Sequence, residues 1–199
     1  IVMGSDAYDA YFLEGATPSA ILRAFARKNA TFLWSAEVNL FPSFEVLAPW
    51  AKSAYPNSTS SSPYKYLNYG GWVGDAPAVC EVLTRVGSVM KKCGQYCEGA
   101  LGNGRRSHHD QHAAQLVYAA QGSHHLEVPQ QGLDYVNQFF HPAWPKCKSI
   151  VENEDGTLTV KETGARPFML HLNGDAKFLC PDMYSLSLIH ISEPTRLST

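Results

Sequence analysis

An α/β fold is what this 199-residue sequence predicts, on three observations. Short apolar runs at Ile1 to Gly4, Thr31 to Ala36, Tyr66 to Val73 and Phe168 to Leu172 read as buried strands. Stretches with helical spacing and good start signals stand between them. Polar and ionisable residues, namely Asp6, Asp9, Glu37, Asn68 and His171, fall at the strand ends or just past them. A buried strand cannot carry an unpaired charge without a large desolvation cost. Open α/β sheets bind ligands outside the carboxyl ends of their strands, so these residues mark the candidate site.

The elements follow in order. Ile1 to Gly4 reads as the end of a buried strand that runs into "SDAYD". Thr17 followed by Pro18 is a helix start, a capping hydroxyl before a first-turn proline, and Ala20, Ile21, Ala24 and Phe25 keep helical spacing toward Lys28. The run "TFLWSA" is a second buried strand and closes on Glu37. From Phe41 to Pro63, four prolines and a serine cluster predict loop. "YLNYGGWV" reads as a strand broken at Gly70 and Gly71. Pro77 to Lys91 reads as a helix, Cys93 to His109 as a glycine-rich loop, and Asp110 as the cap of a helix that runs to Ala120. Leu126 to Phe140 is expected to hold one strand among irregular aromatic segments. Ile150 to Val160 has a turn signal at Asp155-Gly156 and reads as a hairpin.

Composition bounds the function. With 16 Lys and Arg against 18 Asp and Glu, the formal charge is −2 and no basic stripe argues for nucleic acid. No segment approaches the ~20 apolar residues of a membrane span. Of the five cysteines, Cys93 and Cys97 lack zinc-ribbon spacing, which leaves a disulfide or plain buried thiols. The triplets Asn29-Ala30-Thr31 and Asn57-Ser58-Thr59 permit glycosylation in a secretory compartment.

Two aspartates three apart at a strand end suit a hard divalent cation, Mg²⁺ or Mn²⁺, and an added imidazole tilts the choice toward Mn²⁺. His171 is the candidate imidazole, although no spacing argument links it to Asp6 and Asp9. The bland alternatives are a capped turn for the aspartates and a hydrogen-bonded core residue for the histidine.

Taken in order, "DAYD", "FLWSAEVNLFP", "YLNYGGWVG", "DQ", "LDYVNQFF" and "HLNGDAK" resemble the glycosyltransferase domain of the procollagen lysyl hydroxylases and related collagen galactosyl- and glucosyltransferases, over roughly Ile1 to Lys177. The resemblance implies a GT-A, Rossmann-like glycosyltransferase fold, a mixed sheet with flanking helices, a UDP-sugar donor and Mn²⁺. It implies metal ligation by Asp6, Asp9 and His171 and catalysis or acceptor orientation at Asp110, with Gln111 on the acceptor side. Donor binding is carried over to Tyr8, Asn68, Gly70, Gly71, Asp134, Asn137, Asn173, Gly174 and Lys177. For each there is a structural alternative: a bulge at Gly70-Gly71, a helix cap at Asp110, a solvated side chain at Lys177.

The chain also departs from that family. The family's acidic run is here Ser107-His108-His109-Asp110, with one carboxylate, and Arg105 and Arg106 precede it. Tyr69 stands where the family usually has a serine. The nucleotide-binding half that precedes the aspartates in such folds is not in this sequence, so residues 1–185 are expected to be a partial domain, inactive alone. Residues 186–199 ("LSLIHISEPTRLST") resemble translated adaptor sequence. The expected function is transfer of glucose or galactose from UDP-glucose or UDP-galactose to hydroxylysine or galactosyl-hydroxylysine of a collagen-like acceptor. The expected location is the lumen of the secretory pathway, endoplasmic reticulum or Golgi, or outside the cell. The rival readings are a non-catalytic scaffold module and a sugar-nucleotide hydrolase.

Overall fold

A computed structural model describes residues 1–6, 8–41, 55, 62–98, 110–121, 129–143, 147–174 and 176. The elements are β1 (Val2–Ser5), β2 (Ala10–Phe12), α1 (Pro18–Phe25), β3 (Phe32–Glu37), β4 (Tyr66–Gly74), α2 (Ala76–Glu98), α3 (Asp110–Ala120), β5 (Gln131–Leu133), β6 (Phe140–Pro142), a 3₁₀ turn (Cys147–Ser149), β7 (Ile150–Glu152), β8 (Leu158–Val160) and β9 (Met169–His171). The fold is mixed α/β, with mixed sheets and flanking helices, and is compatible with a GT-A, Rossmann-like domain.

The principal sheet has the order β1-β4-β3-β5. β4 runs antiparallel to β1 and to β3, while β3 and β5 are parallel. All six residues of β3 are buried, as befits a central strand covered on both faces. Phe32, Trp34 and Ala36 pack with Val79, Val82 and Val86 of α2 and Ala113, Ala114 and Val117 of α3. Leu33 instead packs with Val73 of β4, Ile21 and Phe25 of α1, and Phe139, Phe140 and Met169. Strand alternation thus sends successive β3 side chains into two cores. The second sheet has the order β2-β9-β6, with β2 antiparallel and β6 parallel to β9.

Several sequence signals act as expected. Thr17 Oγ1 accepts from the Ala20 N–H at 3.2 Å, with Pro18 as the first residue of α1. The β7–β8 hairpin turns at Asp155-Gly156, where Gly156 has φ 76° and Asp155 Oδ1 accepts from Thr157 N–H. Three boundaries differ. α1 closes at Phe25, and the chain to Lys28 continues in turns, with Lys28 N–H donating to Phe25 O at 2.8 Å. α2 runs past Lys91 to Glu98, because a lone Gly94 costs only about 1 kcal/mol in a helix and does not stop one. Between Leu126 and Phe140 the structure holds β5 and the first residue of β6, and the turn between these strands includes Asn137 at φ 55°. The tail at 186–199 and the segment at 99–109 lie outside the described residues.

Candidate metal and donor site

The site forms where the chain crosses from one sheet to the other. β1 ends at Ser5 in the principal sheet, and after four intervening residues the chain enters β2 of the second. The crossing is pinned at both ends by backbone bonds. Asp6 N–H donates to Gly70 O at 3.1 Å, and Leu172 N–H donates to Asp9 O at 2.7 Å. Ala10 is the register partner of His171. Sheet pairing therefore brings residues 6, 9 and 171 together, and ligand-type atoms of all three lie within 4.8 Å of one another. His171 Nε2 stands 3.2 Å from Asp6 Oδ2 and 3.5 Å from Asp9 Oδ1.

These contacts are unlike those of a settled core histidine. The imidazole is buried, yet neither ring nitrogen has a well-directed hydrogen bond. Burial disfavours its cation, but the Asp6 and Asp9 carboxylates outweigh burial and raise its pKa to about 9. The Asp6 side chain is 54% exposed and that of Asp9 17%, so the cluster opens toward solvent on its carboxylate side. Two carboxylates and one imidazole, an oxygen-rich set with one nitrogen, suit Mn²⁺.

The two glycines of β4 have separate uses. The β3–β4 register shifts between Trp34, opposite Trp72, and Ser35, opposite Asn68, so residues 69–71 form a bulge inside a strand that stays continuous. Asn68 Oδ1 accepts from Gly70 N–H at 3.0 Å and shapes the bulge. A Cβ on Gly70 would lie 2.1 Å from His171 Cε1 and 2.7 Å from Asp6 Oδ2, so only glycine leaves room for the cluster. A Cβ on Gly71 would lie 2.5 Å from the Phe140 ring, so that glycine serves the packing of the two sheets.

Behind the cluster lies a buried carboxylate, Glu37. Its Oε1 accepts from Gln111 Nε2 at 2.8 Å and its Oε2 from Asn173 Nδ2 at 3.2 Å. Burial pushes its pKa up to about 7 against hydrogen bonding by Gln111 and Asn68 and the charge of His171. Gln111 also donates to Phe41 O at 2.7 Å and accepts from Tyr69 N–H at 3.2 Å. Its amide is engaged at both ends, which makes Gln111 a brace between α3, β3 and β4. Glu37 is one of the strand-end residues that mark the site in the sequence, without a specific role. Its signal was there: a carboxylate closing an otherwise apolar strand.

A cleft of about 560 Å³ joins these groups. Asp6, Asp9, Glu37, Asn68, Tyr69, Gly70, Asp110, Gln111, His171, Asn173 and Gly174 line it, with Asn39, Leu40 and Phe41 at its side. Asp110 opens α3, and its Oδ1 accepts from Gln111 N–H at 2.7 Å. Tyr8 is 96% exposed beside the aspartates. Asp134 and Asn137, expected beside the donor, are not among the residues that line the cleft. Asp134 is fully buried, accepts from Phe139 N–H at 2.6 Å and faces Lys28 Nζ at 3.7 Å. Its burial raises the carboxyl pKa against the Lys28 charge and the turn amides. The Asn137 amide, oriented to satisfy both its ends, donates to Asp134 O and Ala36 O and accepts from His141 Nδ1. Both residues build the turn between β5 and β6. Lys177 lies outside the described residues.

Residues 1–93 match the family model described as the PLOD GT domain. The match supports a PLOD-type glycosyltransferase domain fragment. It contains Asp6, Asp9, Glu37, Asn68 and Gly70, while Asp110, Gln111, His171 and Asn173 lie beyond it. No curated protein matches the chain.

Proposed function

We propose that the cleft is the donor site of a metal-dependent hexosyltransferase, which moves glucose or galactose from a UDP-sugar to hydroxylysine or galactosyl-hydroxylysine of a collagen-like protein. The observation that carries this is the convergence of Asp6 and Asp9, inside the matched stretch, with His171, well beyond it. Asp6, Asp9 and His171 would hold the cation, Mn²⁺ on this donor set. When bound, such a cation stabilises the negative charge of a departing diphosphate as a Lewis acid.

The chain's own groups supply the rest. Asp110 projects its carboxylate into the cleft from the start of α3, where it can accept the proton of an acceptor hydroxyl as that oxygen bonds to the anomeric carbon. Glu37, Gln111 and Asn173 form a hydrogen-bonded wall that fixes β3, α3 and the segment after β9 around the substrate. Phe41 and Leu40 give that wall an apolar edge suited to a sugar face. Asn29, part of a glycosylation triplet, is exposed, which agrees with a lumenal or extracellular location.

Calorimetric titration of Mn²⁺ and UDP-glucose or UDP-galactose tests the reading. Micromolar to millimolar Mn²⁺ binding is expected, weakened at least tenfold in Asp9→Asn and His171→Gln, with UDP binding dependent on the metal. Equal Mn²⁺ affinity in all three proteins would sink the reading. In an active form of the enzyme, UDP release that proceeds equally with and without a hydroxylysine acceptor would make it a hydrolase.

A further inference from the structure

One hydroxyl in the cleft has neither a protein partner among the described residues nor a part in the chemistry above. Tyr69 lines the cleft with Asp6 and Asp110, and its phenol senses the charge of both carboxylates. The residue is held at two points. Its backbone N–H is bonded to Gln111 Oε1, and its ring lies on Trp34, centroids 5.7 Å apart. Trp34 is itself fully buried and bonded through Nε1 to Gln131 Oε1 at 2.9 Å. Among the described residues the Tyr69 hydroxyl has no hydrogen-bond partner, although the ring is half-buried. A phenol held in place this way, with no protein partner for its hydroxyl among the described residues, is a preset polar contact for a ligand in the cleft.

We propose that Tyr69 is a specificity-determining residue of this cleft, its hydroxyl hydrogen-bonding one ring hydroxyl of the donor hexose. This rests on the donor-site reading above. The position argues for the sugar in particular. Gly70, the next residue, touches the Asp6–His171 cluster that would hold a diphosphate through its cation. Tyr69 is thus one residue along the bulge from the diphosphate and lines the same cleft as Asp110, where the acceptor hydroxyl would react. The group between a diphosphate and an acceptor is the hexose. Glucose and galactose differ in the orientation of one hydroxyl, and a site that hydrogen-bonds a hydroxyl rejects the isomer that misplaces it. Burial and the charges of Asp110 and Asp6 raise the phenol pKa, so the hydroxyl keeps its proton and can both donate and accept.

The test measures affinities of UDP, UDP-glucose and UDP-galactose for the full chain with Mn²⁺, in wild type, Tyr69→Phe and Tyr69→Ser. Thermal melting checks the fold of each. Wild type is expected to prefer one hexose. Tyr69→Phe keeps the ring on Trp34, so UDP affinity should stay within about twofold. The ratio between the two UDP-hexoses should fall about fivefold or more, the scale of one hydrogen bond. Tyr69→Ser should show the same loss with weaker binding of both sugars. An unchanged ratio in the two folded variants overturns the proposal. So does a wild type with no preference, or a Tyr69→Phe defect in UDP binding itself, which would assign Tyr69 to the diphosphate. If wild type binds no UDP with Mn²⁺, the donor-site reading itself falls, and this proposal with it.

Discussion

Gly70 shows how much of a site depends on an atom that is absent. Its missing Cβ is the space in which the His171 ring and the Asp6 carboxylate meet. Gly70→Ala would press a methyl into that space, and overpacking of this kind costs about 1–3 kcal/mol. We expect the variant to fold with a lowered melting temperature and to lose Mn²⁺ affinity by tenfold or more, measured by calorimetry. Gly71→Ala, against Phe140, should lower stability comparably and leave Mn²⁺ affinity nearer to wild type. Equal metal loss in the two would deny Gly70 its separate role. Glu37 gives a second prediction, in pH. Its folded pKa, about 7, lies above the ordinary value of 4.5, so the protonated form is favoured by folding. The stability it contributes is complete below about pH 4.5 and is lost as pH rises toward 7. The shift corresponds to roughly 3 kcal/mol. Burial lowers the His141 pKa to about 4, so its contribution rises with pH over the same window and opposes that of Glu37. The test is therefore the difference between proteins: in urea unfolding of the metal-free protein between pH 4.5 and 6.5, stability should rise more steeply with pH in Glu37→Gln than in wild type, and equal slopes would place the titrating group elsewhere.

At the scale of the element, α3 is where a structural and a chemical role meet in one side chain. Asp110 sits in the first turn of the helix, where a carboxylate is favoured by the helix dipole, and it also lines the cleft. Asn caps nearly as well as Asp but cannot take a proton. Asp110→Asn should therefore hold its melting temperature and its Mn²⁺ and UDP affinities, while transfer by an active form of the enzyme falls about 10²-fold or more. Unchanged turnover would leave Asp110 a cap. The helix itself was legible in the sequence, from Asp110 and the apolar spacing after it, as were α1 from Thr17-Pro18 and the β7–β8 hairpin from Asp155-Gly156. These signals are local, because caps and turns act within a few residues. Where the signal depends on partners, the sequence was mute. The β4 bulge looked like a break in the strand, since only the registers against β3 and β1 show the ladder continuing on both sides of Gly70. Asp134 and Asn137 were carried to the donor side by resemblance alone. Nothing local tells a carboxylate that faces solvent from one that caps three amides in a buried turn.

The whole molecule joins two sheets through very little covalent chain, and the candidate metal site lies on the joint. Asp6 follows β1 of the principal sheet, while Asp9 precedes β2 and His171 ends β9, both of the second. No spacing rule links residues 6 and 171; their meeting is a product of sheet pairing, and it reached the sequence reading only through resemblance. A cation held by all three would clamp the sheets together and give the buried His171 ring a partner that it lacks among the described residues. Binding that favours the folded state stabilises it by about 2.7 kcal/mol at a hundredfold excess over Kd. For a chain of 199 residues that corresponds to a rise in melting temperature of roughly 5–10 °C. We expect Mn²⁺ to produce such a rise, EDTA to reverse it, and Asp9→Asn to lose most of it. Hydrogen exchange should slow at Asp6, Leu172 and the β2–β9 pairing, whose amides flank the cluster on its two sheets, and change little in the β7–β8 hairpin. Uniform slowing over the molecule, hairpin included, would mean that the cation stabilises the chain without bridging the sheets at this joint.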